Sequence, residues 1–170
     1  KEATRKYYNH DGAFYPETMY FWGTYVDENY GGDRTGMPDG LTQNTYIRYY
    51  WQGGLELSLM MLDYYQYTQD TEFLKDTLLP VVTEVVTFFD RHWKRGDDGK
   101  ILFSPAMSLE TYRTAVNPLP EIVGIHKVCS ELLRLPDSFV SDGQRSAWKR
   151  LMSELPEIPV EERNGVKVLA

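Results

Sequence analysis

The stretch Ser104–Pro105–Ala106–Met107–Ser108–Leu109–Glu110–Thr111–Tyr112 sets one carboxylate among apolar and hydroxyl side chains, between a short apolar run and a helical pattern. Cleavage of a glycosidic bond needs a carboxyl that stays protonated long enough to hand its proton to the departing oxygen. Burial beside Leu109, Met107 or Tyr112 would raise the pKa of Glu110 by desolvation and suit it to that task. The plainer alternative has Glu110 capping the turn that follows or pairing with Arg113.

Three other places carry polar or aromatic groups at points where the chain turns. His10–Asp11–Gly12–Ala13–Phe14–Tyr15–Pro16–Glu17 is a loop entering a helical pattern. There His10 and Asp11 could orient one another, and Glu17 could face a site or simply favour the positive end of a helix dipole. Tyr49–Tyr50–Trp51–Gln52–Gly53–Gly54 sets Trp51 and Gln52 beside two glycines inside a helical pattern. Glycine there costs about 1 kcal/mol relative to alanine, so close helix packing or close approach of a ligand must compensate. Asn117–Pro118–Leu119–Pro120–Glu121 is a rigid turn where Asn117 or Glu121 faces a sugar hydroxyl, or where Glu121 sits on a helix N-terminus.

Other chemistries find less support. His10, His92 and His126 are far apart in sequence, and neither an H-E-x-x-H pattern nor a carboxylate cluster with ligand spacing occurs, so no metal is expected. There is no G-x-S-x-G elbow and no Gly-rich phosphate loop, and no cofactor is called for. The one cysteine, Cys129, lies in an apolar helical pattern and is expected to be a buried thiol. A net charge of −7, from 25 acidic and 18 basic residues, disfavours nucleic acid as a partner. No apolar run is long enough to span a bilayer, so no membrane partner is expected. Aromatic residues make up 14% of the chain; such rings suit stacking on sugar C–H faces, and equally suit a tyrosine-rich core.

The elements that must position these residues are mostly helices. Helical patterns run from Pro16 to about Asp27 and, after a glycine-rich loop to about Gly40, from about Thr45 to Thr68. Asp70 caps a short helix through Leu78, and Pro80 begins another with Val82, Val85, Val86, Phe89 and Trp93 on one side. Lys94–Arg95–Gly96 stops it, and a short β piece is expected over 101–103. Helices follow from Pro120 to about Arg134 and, behind the capping-box pair Ser141 and Gln144, through Glu154. Asn164–Gly165 predicts a hairpin turn within 158–169.

Paired helices joined by loops bearing Trp, Tyr, Glu and Asn are the organisation of an (α/α)6 toroid. Six pairs need far more residues than this chain has, since each helix of about 12 residues with its loop uses roughly 20. The expectation is a mainly α chain, a single unit over 1–170 supplying roughly half of such a toroid. Because Lys1 is not a natural start, the sequence is expected to continue beyond this stretch.

Three motifs, in order, resemble glycoside hydrolase family 95, the inverting α-L-fucosidase group built on a six-pair toroid. Thr18–Met19–Tyr20–Phe21–Trp22–Gly23 resembles the family's Q-M-N-Y-W-P segment. Trp51–Gln52–Gly53–Gly54, with Thr68–Gln69–Asp70–Thr71–Glu72–Phe73–Leu74 after it, resembles its W-x-G-G helix and T-G-D-x-x-F-L turn. Ser104–Pro105–Ala106–Met107–Ser108–Leu109–Glu110 resembles its S-P-S-x-S-P-E loop, whose glutamate is the general acid. The overall pattern is closer still to an uncharacterised bacterial branch related to that family, in which F-x-P-E-T-M-Y-F-W-G and S-L-E-T recur.

The resemblance implies a carbohydrate substrate, Glu110 as catalytic acid, and a base from sequence outside this chain. Trp22, Trp51 and Tyr112 are then expected to wall the substrate, with Glu17, Gln52 and Asn117 reaching its hydroxyls. It also implies a periplasmic or secreted location. Two asparagines that help activate water in the fucosidases are replaced here by Phe14 and Pro16, with Glu17 the neighbouring candidate for their role. Two rivals stand beside hydrolysis: a non-catalytic carbohydrate-binding or helical interaction domain, and a toroidal polysaccharide lyase. A partial toroid would also expose the face its other helices cover, which favours self-association.

Overall fold

A computed structural model of the chain describes residues 1–16, 35–36, 49–108, 112 and 114–169. Those residues are mainly helical, with one short two-stranded sheet. The helices are α1 (Glu2–Tyr8), α2 (Gly53–Thr68), α3 (Thr71–Phe73), α4 (Leu79–His92), α5 (Leu119–Leu132) and α6 (Asp142–Ser153). Strands β1 (Val160–Arg163) and β2 (Val166–Leu169) close the chain.

Helix α2 is flanked by α4 and α5, and α6 packs on the outer side of α5. Leu55 and Leu62 of α2 meet Val82, Val85 and Phe89 of α4 and Ile122, Ile125 and Cys129 of α5 in one continuous core. Small residues let these helices approach. A Cβ on Gly124 would lie 2.8 Å from Leu55 Cδ1, and one on Gly54 would lie 3.1 Å from Val85 Cγ1. The glycine pair at 53–54 is therefore accounted for by packing, with Gly53 held against the Tyr15 carbonyl in the same way.

Helix α2 begins later than its pattern suggests. Tyr49, Tyr50 and Trp51 are not helical: the Tyr49 carbonyl, which a helix would use internally, accepts from Met107 N–H at 3.0 Å, and Trp51 Nε1 donates to the Pro105 carbonyl at 3.0 Å. Asp70 caps α3 by accepting from Phe73 N–H at 2.9 Å. From there the chain runs through a π-helical turn, Leu74–Leu78, directly into α4, which carries Pro80 in its first turn as expected. Proline has no N–H to return to the carbonyl four residues back and crowds it, and widening the preceding turn relieves both problems.

The expected β piece at 101–103 is a single bridge, Arg95 to Ile101. Around it, Arg95 and Arg150 link Asp90 at the end of α4 to Glu154 after α6, with four nitrogen–oxygen contacts of 2.5–2.8 Å. Ser141 and Gln144 form the capping box of α6. The hairpin pairs Val160 with Leu169 and Arg163 with Val166, and Asn164 and Gly165 both take the positive φ that its tight turn requires. Helix α1 was not anticipated from the pattern. The helix expected from Pro16 onward falls almost wholly outside the described residues.

Candidate active site

The described ends of segment 104–118 are drawn together. Ala106 and Ala115 exchange backbone hydrogen bonds of 3.1 and 2.6 Å, and Ser108 N–H donates to the Tyr112 carbonyl at 3.3 Å. Residues 109–111, with Glu110, lie between these closures and outside the described residues, as do Glu17 and Trp22. Tyr112 is exposed, at 65% of its full surface. Together with Ser108, Asn117, Val116 and Glu157 it lines a cleft of about 600 Å³.

The loop is tied down from both sides. Asn117, in a left-handed conformation, accepts at Oδ1 from Phe103 N–H at 2.8 Å while its own N–H donates to the Phe103 carbonyl at 2.9 Å. Asn117, expected to reach a sugar hydroxyl, thus holds the backbone at Phe103, and it also lines the cleft.

Gln52 is buried, and its Nε2 donates to the Met107 carbonyl at 2.9 Å, with Ser108 O and Glu121 Oε1 each at 3.4 Å. Its amide nitrogen braces the loop where a contact with substrate was expected. Trp51 also departs from expectation. It is 4% exposed, and Tyr8, Phe14, Phe88, His92 and Trp93 surround its ring at centroid distances of 4.5–6.0 Å. A ring covered in this way is core, and its Nε1–H serves the Pro105 carbonyl; it is not a stacking wall in this arrangement.

Glu121, the third residue of α5, has no exposed surface, and its Oε2 has no hydrogen-bond partner. Burial pushes its pKa up to about 7, against the opposing pull of its own backbone N–H and Gln52. Its place in a Pro-rich turn suggested a helix N-terminus, but nothing in the local sequence signalled full burial.

The His10 loop forms a second polar cluster beneath Trp51. His10 Nδ1 lies 2.7 Å from the Asp11 carbonyl oxygen, so it carries the proton and donates, which leaves Nε2 to accept from His92 Nδ1–H at 2.9 Å. His10 and Asp11 are thus linked through backbone, while the Asp11 carboxylate pairs with Arg5 at 3.0 Å and Arg91 at 3.1 Å. Burial, with His10 adding to it, lowers the His92 pKa to about 3. Cys129 is buried, and the same cause raises its thiol to about 12. Among the described residues no three His, Cys, Asp or Glu side chains converge as a metal site would require. No helix among them is long and apolar enough to cross a membrane.

Residues 1–167 match the glycosyl hydrolase family 95 catalytic domain, and the chain belongs to that family. Its mainly helical architecture is that of part of the family's helical toroid. A search of curated proteins gave no match.

Proposed function

We propose that the protein hydrolyses a glycosidic bond in an oligo- or polysaccharide, with Glu110 as the general acid. Within a glycoside hydrolase family, the observation that carries this reading is the cleft lined by Ser108 and Tyr112, the described residues on either side of 109–111. That cleft, about 600 Å³, is large enough for sugar rings. Tyr112 supplies an exposed aromatic face for stacking.

In this mechanism Glu110 gives its proton to the leaving oxygen as the bond to the anomeric carbon breaks. Water attacks from the opposite face and loses its proton to a second carboxylate, which the family resemblance assigns to sequence outside these 170 residues. No cofactor takes part.

The test uses the full natural polypeptide with a panel of aryl glycosides and plant or host oligosaccharides, comparing Glu110→Gln with wild type. The acid role predicts a loss of at least about 100-fold in turnover, the usual contribution of general acid catalysis. Unchanged turnover removes Glu110 from that role. If neither form turned over any glycan and both bound one, a non-catalytic carbohydrate-binding domain would be the better description.

A further inference from the structure

The Gln52 amide has two N–H groups and three acceptors around its nitrogen: Met107 O at 2.9 Å, and Ser108 O and Glu121 Oε1 at 3.4 Å. Two hydrogens serve three acceptors only if one of them is shared. The shortest contact holds one of them on Met107, so Ser108 and Glu121 compete for the other. We propose that Glu121 is a positioning residue for the Met107–Ser108 backbone, which in sequence shortly precedes Glu110, acting through the Gln52 amide that it shares with the Met107 and Ser108 carbonyls. The proposal rests on the acid role proposed above for Glu110.

The competition has a definite sense. A neutral Glu121 is a modest acceptor, and the second Gln52 hydrogen goes to Ser108, two residues before Glu110. An ionised Glu121 makes a charge-assisted bond and takes that hydrogen from Ser108. The carboxyl is fully buried with Oε2 unpartnered, which opposes ionisation. Among the described residues no charged side chain on α2, α4, α5 or segment 104–108 acts on it; only burial, Gln52 and its own backbone N–H do. With a pKa near 7, both forms are populated in neutral solution. The braced loop, and with it an effective proton donor, belongs to the neutral form.

The experiment measures hydrogen exchange of peptide 104–112 and the pH profile of kcat/KM on the full natural polypeptide. The probe for the kinetic arm is whichever aryl glycoside of the panel above is turned over. In the wild type, protection of 104–112 should fall as pH rises through 7, beyond the chemical exchange rate. It should stay level in Glu121→Gln, which cannot ionise, and in Gln52→Leu, which lacks the shared N–H. Relative to its own value at pH 6, kcat/KM of Glu121→Gln at pH 8 should exceed that of wild type by up to about tenfold, since one ionisation is gone from the basic limb. A purely structural glutamate would leave the shape of that limb unchanged.

Level protection in the wild type, or an identical pH dependence in the variants, overturns the bracket even with Glu110 confirmed as acid. Full activity in Glu110→Gln overturns the acid role and the catalytic meaning of the bracket, while the exchange arm still judges the coupling itself. Gln52→Leu carries the exchange test if Glu121→Gln does not fold.

Discussion

His92 gives a pH dependence of stability whose size follows from its surroundings. Its ring stacks on Phe88 at 4.6 Å and 20°, meets Trp51 and Trp93 at 4.5 Å, and donates from Nδ1 to His10. Burial holds its pKa at about 3, against 6.5 for a free imidazole. As pH falls through 6.5 the unfolded chain takes up a proton there, and the folded chain does not until about 3. Between those values the unfolded state binds more protons, so folding stability falls as pH falls. Each unit of that gap is worth about 1.4 kcal/mol, so at pH 5 the loss is about 2 kcal/mol relative to pH 8. Urea unfolding at pH 8, 6 and 5 measures it, with His92→Phe as reference because a phenyl ring keeps the stacking and cannot titrate. The difference in stability between wild type and variant should shrink or reverse by about 2 kcal/mol toward acid. A difference constant with pH, or a His92 ring resonance titrating near 6.5, would refute the lowered pKa of His92.

Two further predictions concern the frame that carries the site. A Cβ at Gly12, where φ is +107°, would stand 2.4 Å from Phe88 N and 2.5 Å from its Cα, both backbone atoms. Gly12→Ala should cost about 3–5 kcal/mol, from overpacking and backbone strain together. Gly99→Ala, at φ +75° with nothing within 4 Å, should cost only about 1–2 kcal/mol. Equal losses in denaturant titrations would disprove the clash. Ser141→Ala removes the capping-box acceptor of Gln144 N–H and should cost about 1 kcal/mol, or about 2–4 °C in Tm; an unchanged melting curve would show the box to be idle.

Features written in local sequence were legible. The capping box at Ser141 and Gln144, the Asn164–Gly165 turn and the Asp70 cap depend on residues three apart or adjacent, and each has the conformation those residues favour. The start of α2 was not legible, because a pattern of apolar residues does not show that Tyr49 and Trp51 spend their polar groups on Met107 and Pro105, more than fifty positions away. Pro80, by contrast, marked a helix start correctly: it stands in the first turn of α4, directly after a π turn. The candidate loop was identified from its composition and its family resemblance, while its supports were not. Glu121 follows a Pro-rich turn that reads as a helix start, and its burial comes with the packing of α5 against α2, which no local pattern shows.

Trp51, Gln52 and Asn117 share a consequence. Each was a candidate for touching substrate, and each instead directs a side-chain hydrogen bond to the backbone at Phe103, Pro105, Met107 or Ser108. An acid that must meet a glycosidic oxygen within hydrogen-bond reach needs its backbone fixed before substrate arrives. A loop between a bridge and a helix cannot supply that rigidity from its own local contacts. Bonds to the backbone from the two residues before α2 and from the turn before α5 supply it, and they require the residue types that also suit sugar binding, an indole N–H and two amides. The same composition therefore serves two roles, and burial separates them: Trp51 and Gln52 are covered, whereas Tyr112 is open to the cleft. Substrate selectivity should accordingly respond to changes at Tyr112, and changes at Trp51 or Gln52 should weaken turnover of every glycan alike.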